Sequence, residues 1–340
     1  KKINLYFNQN SPLNKILNKY NFFLHLYIFY RFLNNYNKKY LLQLFFSNIS
    51  KLPYINNEIN NRINKIGIDI KKDLNLHTKD IELNIKLQDS KNPENIKKQL
   101  LLLSNSSQKN SKISGAIYRN NPELDKFIIS IFPMFHGSNA LHPNIFPGIK
   151  RMEAELVSIV LKLFQGNENC CGNITSGGTE SILMTCKAHR QWGYKKGILK
   201  PEIIICNSTH VAFNKAAKYF NLNIVNINLD KHGRMDINKL KHAITKNTIL
   251  IVASAPSYTH GIEDDIEAIS NIAYNSNIGC HVDCCLGGFI LPFIKTDFKY
   301  NFTLKGITSI SSDFHKYGLS PKGISIIMYN SKYLMRNQYY

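Results

Sequence analysis

The sequence predicts an α/β fold: a mostly parallel sheet with helices on both faces, plus an N-terminal helical region. Three observations predict it. From Ser111 onward, short apolar runs alternate with helical stretches, and strands separated by whole helices need crossover connections, which make neighbours parallel. The runs are continuous, as in IIIC at 203–206 and ILIVA at 249–253, which suits strands buried on both faces. The chain is also 340 residues long and 44% hydrophobic, which excludes a disordered or collagenous protein and suits one large domain or two ordinary ones.

The elements follow in order. Asparagine is concentrated in the first 110 residues, so the leading third differs in composition from the rest. Within it, NFFLHLYIFYRFL at 21–33 is the most apolar run; from Phe22 it spans about 18 Å as a helix, short of a hydrocarbon core of about 30 Å. It contains His25 and Arg31, and Lys38–Lys39 interrupt its extension toward Phe46, so hydropathy favours an interfacial or buried helix. It lacks a small-residue cleavage site of the secretory kind. Between 51 and 77, Ile55, Ile59, Ile63, Ile66, Ile70 and Leu74 form one stripe of an amphipathic helix. Residues 88–112 are polar apart from Leu100–Leu103 and are expected to be a linker. The expected division is therefore 1–50, an apolar segment; 51–110, helix and linker; and 111–340, the α/β domain.

In that domain a helix is expected over 150–164, a short segment at 171–174 precedes the next helix, strands are expected over 203–206, 224–227, 249–253, 279–283 and 307–311, and 324–329 is strand-like. The helices between them fall at 180–192, 212–220, 237–244 and 266–274. The formal net charge is +20, but the basic residues are scattered rather than gathered into a stripe with interleaved aromatics, so no nucleic-acid partner is expected. Seven cysteines make an odd count without a CxxC pair, which favours free thiols in a reducing compartment.

Three motifs carry chemistry. TSGGTES at 175–181 opens a helix: Gly177 and Gly178 let backbone approach an anion, the helix N-terminus supplies N–H groups and a favourable dipole, and Thr179 adds a hydroxyl. Taken singly, it is also an ordinary glycine turn. HVD at 281–283 closes a strand, where ligands sit in parallel sheets, and Asp283 needs a cation or hydrogen bonds. A metal on His281, Asp283 and Cys284 is disfavoured, because neighbouring strand residues point to opposite faces. SSDFHKYG at 311–318 follows another strand; Lys316, beside His315 and between Phe314 and Tyr317, is expected in a poorly hydrated, partly cationic pocket that favours the neutral amine. Together, an anion cradle, a carboxylate at one strand end and an amine at another are the parts pyridoxal 5'-phosphate requires. His210, after the 203–206 strand, is placed to stack on its ring.

Residues 139–163, TSGGTESILM, STHVAFNKAA, HVDCCLGGF and SSDFHKYGLSPKG resemble the sphingosine-1-phosphate lyases, fold-type-I pyridoxal phosphate enzymes of the group II decarboxylase superfamily. The resemblance spans about 111–329 and, more weakly, the 51–74 helix. TSGGTES and HKYG fit several decarboxylases of the superfamily; NALHPNIFPG and Pro321-Lys322-Gly323 are what point to the lyases. It implies that Lys316 holds the coenzyme's aldehyde, Asp283 pairs with the ring nitrogen, His210 stacks on the ring, and Gly178, Thr179 and His315 hold the coenzyme phosphate. It further implies that Tyr118, Asn139, His142 and Lys322 lie near the substrate phosphate.

The activity implied is retro-aldol cleavage of the C2–C3 bond of a phosphorylated long-chain base, giving a long-chain aldehyde and phosphoethanolamine. A homodimer is also implied, with sites at the dimer interface, and so is a place at the endoplasmic reticulum membrane, anchored through the N-terminal segment with the catalytic domain facing the cytosol. Such enzymes continue beyond the equivalent of Tyr340 with a glycine-rich loop and a C-terminal small domain, which the sequence is expected to lack. Two alternatives follow: a non-catalytic coenzyme-fold protein and an amino-acid decarboxylase.

Overall fold

The computed structural model describes residues 52–73, 92–105, 115, 117–294 and 297–339. The apolar 21–46 region lies outside them, and among the described residues no helix is long and apolar enough to cross a membrane. The chain divides into two units between Ser107 and Gln108.

In the first unit, α1 (Pro53–Asp73) forms where the isoleucine stripe predicts it. The expected linker instead contains a helix, α2 (Pro93–Asn105). Its start is well specified: Pro93 fits the first helical position, and Asn92 Oδ1 accepts the Glu94 amide at 2.9 Å. The leucines at 100–103 are thus part of a helix rather than an isolated patch.

The second unit opens with α3 (Pro122–Phe135), which the sequence reading missed. Asn121 caps it by accepting the Leu124 amide at 3.0 Å, with Pro122 in the first turn. Then follow α4 (Pro147–Leu163), β1 (Cys171–Thr175), α5 (Gly178–Lys195), β2 (Glu202–Cys206), α6 (Ala212–Phe220), β3 (Asn223–Ile227), α7 (Ile237–Ala243), β4 (Thr248–Ser254), α8 (Ile266–Asn275), β5 (Gly279–Asp283), β6 (Ser309–Ser312), β7 (Ser325–Tyr329) and the short α9 (Lys332–Met335). Asp236 and Asp265 cap α7 and α8 through the Lys239 and Ala268 amides.

The seven strands form one sheet in the order β1-β7-β6-β5-β4-β2-β3. Strands β3, β2, β4, β5 and β6 run parallel, and β7 is antiparallel to both β6 and β1. The continuous apolar runs have the predicted consequence: all seven residues of β4 are buried. Each fully buried Leu, Ile or Val there contributes about 1.5–3 kcal/mol. Two apolar clusters cover the two faces of the sheet. One joins α4, α7 and α8 to Ile251, Ala253, Cys280 and Val282; the other packs α5 and α6 on Ile203, Ile205, Leu250 and Val252.

Beneath α5 the interior is polar. His281 of β5 meets Ser309 Oγ through Nδ1 at 2.9 Å and Ser311 Oγ through Nε2 at 3.2 Å. Thr185 of α5 meets Ser309 at 2.8 Å, and His189 reaches the Thr185 carbonyl and Thr308 Oγ1, each at 2.8 Å. Both ring nitrogens of His281 are therefore committed to hydroxyls. The seven cysteines are free thiols, six of them buried.

Burial, with a smaller contribution from His189, lowers His281 from 6.5 to about 3, and burial lowers His189 to about 4. Both stay neutral in the fold, whereas the unfolded chain takes up protons near 6.5. Their contribution to stability is complete above that pH and is lost as pH falls from 6.5 toward 3. Thermal melts at decreasing pH should show this loss, and the decline should be shallower in His281→Gln than in the wild type.

Candidate active site

Five strand ends converge on one cavity of about 380 Å³. Strands β1, β2, β4, β5 and β6 point the same way, so the segments leaving their carboxyl ends meet at one edge. Gly178 and Thr179 come from the turn after β1, His210 from the segment after β2, Tyr258 from that after β4, Asp283 ends β5, and Asp313, His315 and Lys316 follow β6. The ladder continues past the strands: the Ala255 amide donates to the Asp283 carbonyl, and the Cys284 amide to the Ser311 carbonyl, both at 2.9 Å.

The cradle forms as the glycines require. A Cβ on Gly178 would lie 3.0 Å from both Asp313 carboxylate oxygens and from Cys285 Sγ. No side chain caps the N-terminus of α5. Glu180 instead turns back to accept from the Ser176 amide at 2.6 Å and the Ser176 hydroxyl at 2.7 Å. That leaves first-turn amides of an 18-residue helix facing the cavity, with their dipole favouring an anion.

Asp283 is nearly buried, and its Oδ1 accepts the Cys285 amide at 3.0 Å. His210 Nδ1 accepts the Ala212 amide at 3.1 Å, which puts the proton of the neutral ring on Nε2; its ring lies 5.0 Å from that of Tyr258. His315 Nδ1 accepts the Ile324 amide at 3.3 Å.

Lys316 departs from the expectation of a partly cationic pocket. Its Nζ lies 3.0 Å from Asp313 Oδ2, and Asp313 is 2% exposed. Burial pulls the ammonium down, but negative charge at Cys285, Asp313 and Asp283, together with the Asp313 hydrogen bond, outweighs it and holds the amine above its ordinary 10.5. Burial and the neighbouring aspartates push the Cys285 thiol well above 9.0, so at neutral pH Cys285 itself adds no charge beside the lysine. The sequence reading saw the aromatics and His315 beside the lysine. It did not see that Asp283 approaches from another strand, nor that Asp313 turns inward one helical step away.

The four residues implied for the substrate phosphate divide. Tyr118 and Lys322 come together: Lys322 Nζ stands 4.4 Å above the Tyr118 ring, which packs edge-on against Tyr317 at 5.4 Å. Asn139 and His142 do not join them. They close an exposed turn of their own, in which Asn139 Oδ1 accepts the Leu141 amide at 3.0 Å and the Asn139 carbonyl accepts that of His142 at 3.1 Å. None of the four is among the residues that line the cavity.

Two residues were missed. Asp313 is one, although it stood inside the SSDFHKYG motif. The other is Arg119, which donates to the Leu319 carbonyl at 2.6 Å and pairs with Asp125 at 2.5 Å, tying the start of α3 to the lysine turn. Leu319 has φ +62°, a left-handed conformation that the turn needs to fold back.

A parallel-sheet edge that gathers an uncapped helix N-terminus, a lysine and two buried carboxylates defines a coenzyme-dependent α/β protein of the pyridoxal phosphate type. Residues 137–339 match the model of the pyridoxal-dependent decarboxylase conserved domain, and the chain belongs to that family. It is 40% identical over 305 residues to mouse sphingosine-1-phosphate lyase 1, covering 87% of this chain and 53% of the mouse protein. It is 42% identical over 247 residues to the Saccharomyces cerevisiae sphingosine-1-phosphate lyase, covering 70% and 42%. A solved sphingosine-1-phosphate lyase from Burkholderia pseudomallei superposes with a TM-score of 0.73 at 30% identity, over 78% of this chain and 65% of that one. The chain thus spans about half the length of the curated relatives it matches.

The residues present fit pyridoxal phosphate, the coenzyme of this family. The cavity is of the size small cofactors occupy, the α5 amides face it, and Asp313 Oδ1 is buried among the described residues without a hydrogen-bond partner. Gly178→Ala should crowd Asp313 and Cys285 and weaken coenzyme binding by about tenfold or more, for a strain of roughly 1–3 kcal/mol. Titrating the apoprotein with pyridoxal phosphate and following visible absorbance measures it.

Proposed function

We propose that the protein acts as a pyridoxal phosphate-dependent aldehyde-lyase, cleaving the C2–C3 bond of sphingosine 1-phosphate and related phosphorylated long-chain bases. The observation that carries this reading is the 40% identity with a sphingosine-1-phosphate lyase across 87% of the chain. It supports the lyase over the amino-acid decarboxylase that the same fold could serve.

In this reading the bound coenzyme supplies a ring that accepts the electron pair of the breaking bond. Lys316 is the amine that holds the coenzyme and is displaced by the amine of the substrate. Asp283, nearly buried at the end of β5, keeps a proton on the ring nitrogen. His210 covers one face of the ring, with its Nδ1 tied to the Ala212 amide and its Nε2 proton free. Gly178, Thr179 and His315 bind the coenzyme phosphate at the start of α5. Loss of the C3 hydroxyl proton would let the C2–C3 bond break and free the long-chain aldehyde, and a proton delivered to C2 would then give phosphoethanolamine. Tyr118 and Lys322, which contact each other outside the cavity lining, would bind the substrate phosphate away from the bond being broken.

The homodimer belongs to this proposal. α3 carries Phe127, Ile129, Phe132 and Met134, all more than 60% exposed, and no residue of the helix is buried within the chain. Pairing two copies would cover that apolar surface, and the Asn139–His142 turn between α3 and α4 would then be available to the partner's cavity. Association with the endoplasmic reticulum membrane through the apolar 1–50 segment, with the catalytic domain in the cytosol, is proposed on the resemblance and on the composition of that segment.

The test is product analysis of the purified chain. Sphingosine 1-phosphate should yield long-chain aldehyde, and candidate amino acids should yield no carbon dioxide. Lys316→Ala should lose both the visible absorbance of bound coenzyme and all turnover, while Asp283→Asn should keep absorbance and lose about 10²-fold or more in rate. Carbon dioxide without aldehyde would transfer the protein to the decarboxylases. Coenzyme binding without either product would mark a non-catalytic chain.

A further inference from the structure

We propose that Asp313 is a positioning residue for Lys316: its carboxylate keeps the amine as an ammonium, parked at the wall of the cavity, whenever the amine has no covalent partner. This rests on the reading of Lys316 as the coenzyme-bearing amine. Three observations carry it. Asp313 Oδ2 is 3.0 Å from Lys316 Nζ and 3.6 Å from His315 Nε2, so the lysine is the nearer of its two basic neighbours. The carboxylate is 2% exposed, so water does little to screen the pair. Its Oδ1 has no hydrogen-bond partner among the described residues, so this carboxylate is not spent on capping or bracing the backbone, as Asp283 is on the Cys285 amide.

The surroundings single Asp313 out. On the lysine's own turn the titratable groups are Asp313, His315 and Tyr317; from the end of β5 come Asp283 and Cys285. Across the cavity stand His210, Tyr258 and Glu180, and Glu180 is committed to Ser176 through its amide and hydroxyl. Among the described residues, Asp313 alone makes a direct ion pair with Lys316. The raised affinity of the amine for its proton agrees with that geometry.

The experiment reads the amine directly, without coenzyme. The full-length apoprotein is labelled with isotopic acetic anhydride between pH 6 and 11, and Lys316 is quantified by peptide mass spectrometry against exposed lysines. At pH 8, Asp313→Asn should raise Lys316 labelling by about tenfold or more, because loss of an adjacent opposite charge frees that much more neutral amine. Asp313→Glu, which keeps the charge, should label at close to the wild-type rate. Unchanged labelling in folded Asp313→Asn overturns the proposal, and so does an equal rise in Asp283→Asn.

Should Asp313→Asn fail to fold, Lys316→Met supplies the second test. It leaves Asp313 buried without its cation, so the carboxyl holds its proton in the fold to higher pH than in the unfolded chain. Stability is then present at low pH and lost as pH rises. Between pH 5 and 8 the Tm of Lys316→Met should fall relative to wild type, and Asp313→Asn added to it should remove the fall; a constant difference overturns the proposal. Visible absorbance on adding pyridoxal phosphate is scored separately. Its absence beside an intact labelling effect counts against the coenzyme reading and leaves the Asp313–Lys316 pairing standing.

Discussion

All five residues of β5 are buried, and two of them, His281 and Asp283, carry strongly polar side chains. Leaving either without partners would cost roughly 1–3 kcal/mol or more. For His281 the cost is avoided because β6 sets Ser309 opposite it and Ser311 two residues further on, while Asp283 accepts the Cys285 amide. Those hydroxyls take both nitrogens of His281, and Thr185 of α5 joins the same group. A slip of one residue would bring Ile310 opposite the histidine and break the set, so the polar contacts fix the register of β6 on β5. Register in turn decides where the two strands end. Asp283 leaves the end of one, the Asp313–Lys316 turn leaves the other, and the spacing of the carboxylate and the amine follows from hydrogen bonds deep in the sheet.

This dependence explains how much of the fold could be read beforehand. β5 and α6 fall where the apolar runs place them, and the other strands differ by one or two residues at their ends. In these segments local pattern and tertiary burial agree, since a strand buried on both faces has no polar position to blur the run. The failures fall where they diverge. α2 was taken for a linker because its composition is polar, although Pro93 and Asn92 already specify a helix start. α3 was missed although Leu124, Ile128, Ile131 and Phe135 stand at helical spacing and Asn121-Pro122 specify its start.

The site was legible as a set of parts but not as an electrostatic whole. Lys316, Asp283, Gly178, Thr179, His210 and His315 all line one cavity, as motifs at the ends of parallel strands should. The sign of the field at Lys316 was misjudged, since its neighbours in sequence are aromatic and imidazole while its neighbours in space are carboxylates. Asn139 and His142 stay apart from the cavity because the turn they form satisfies its own backbone locally, and no spacing rule in the sequence reports on that.

The charges around Gly178 then impose an order on what the cavity can hold. Asp313 lies against the cradle, close enough that a Cβ on Gly178 would touch both carboxylate oxygens. A bare carboxylate there would repel an incoming phosphate, against the pull of the α5 dipole. With Lys316 charged and 3.0 Å away, the pair is neutral and the helix N-terminus decides the local potential. An anion is therefore most welcome beside Gly178 while the lysine is still an ammonium. Once the amine is engaged elsewhere, His315 Nε2, at 3.6 Å, is the remaining side-chain nitrogen beside the carboxylate. The cradle and the lysine thus act as one electrostatic unit, joined by an aspartate whose neighbours in the chain, Ser312 and Phe314, give no sign of it.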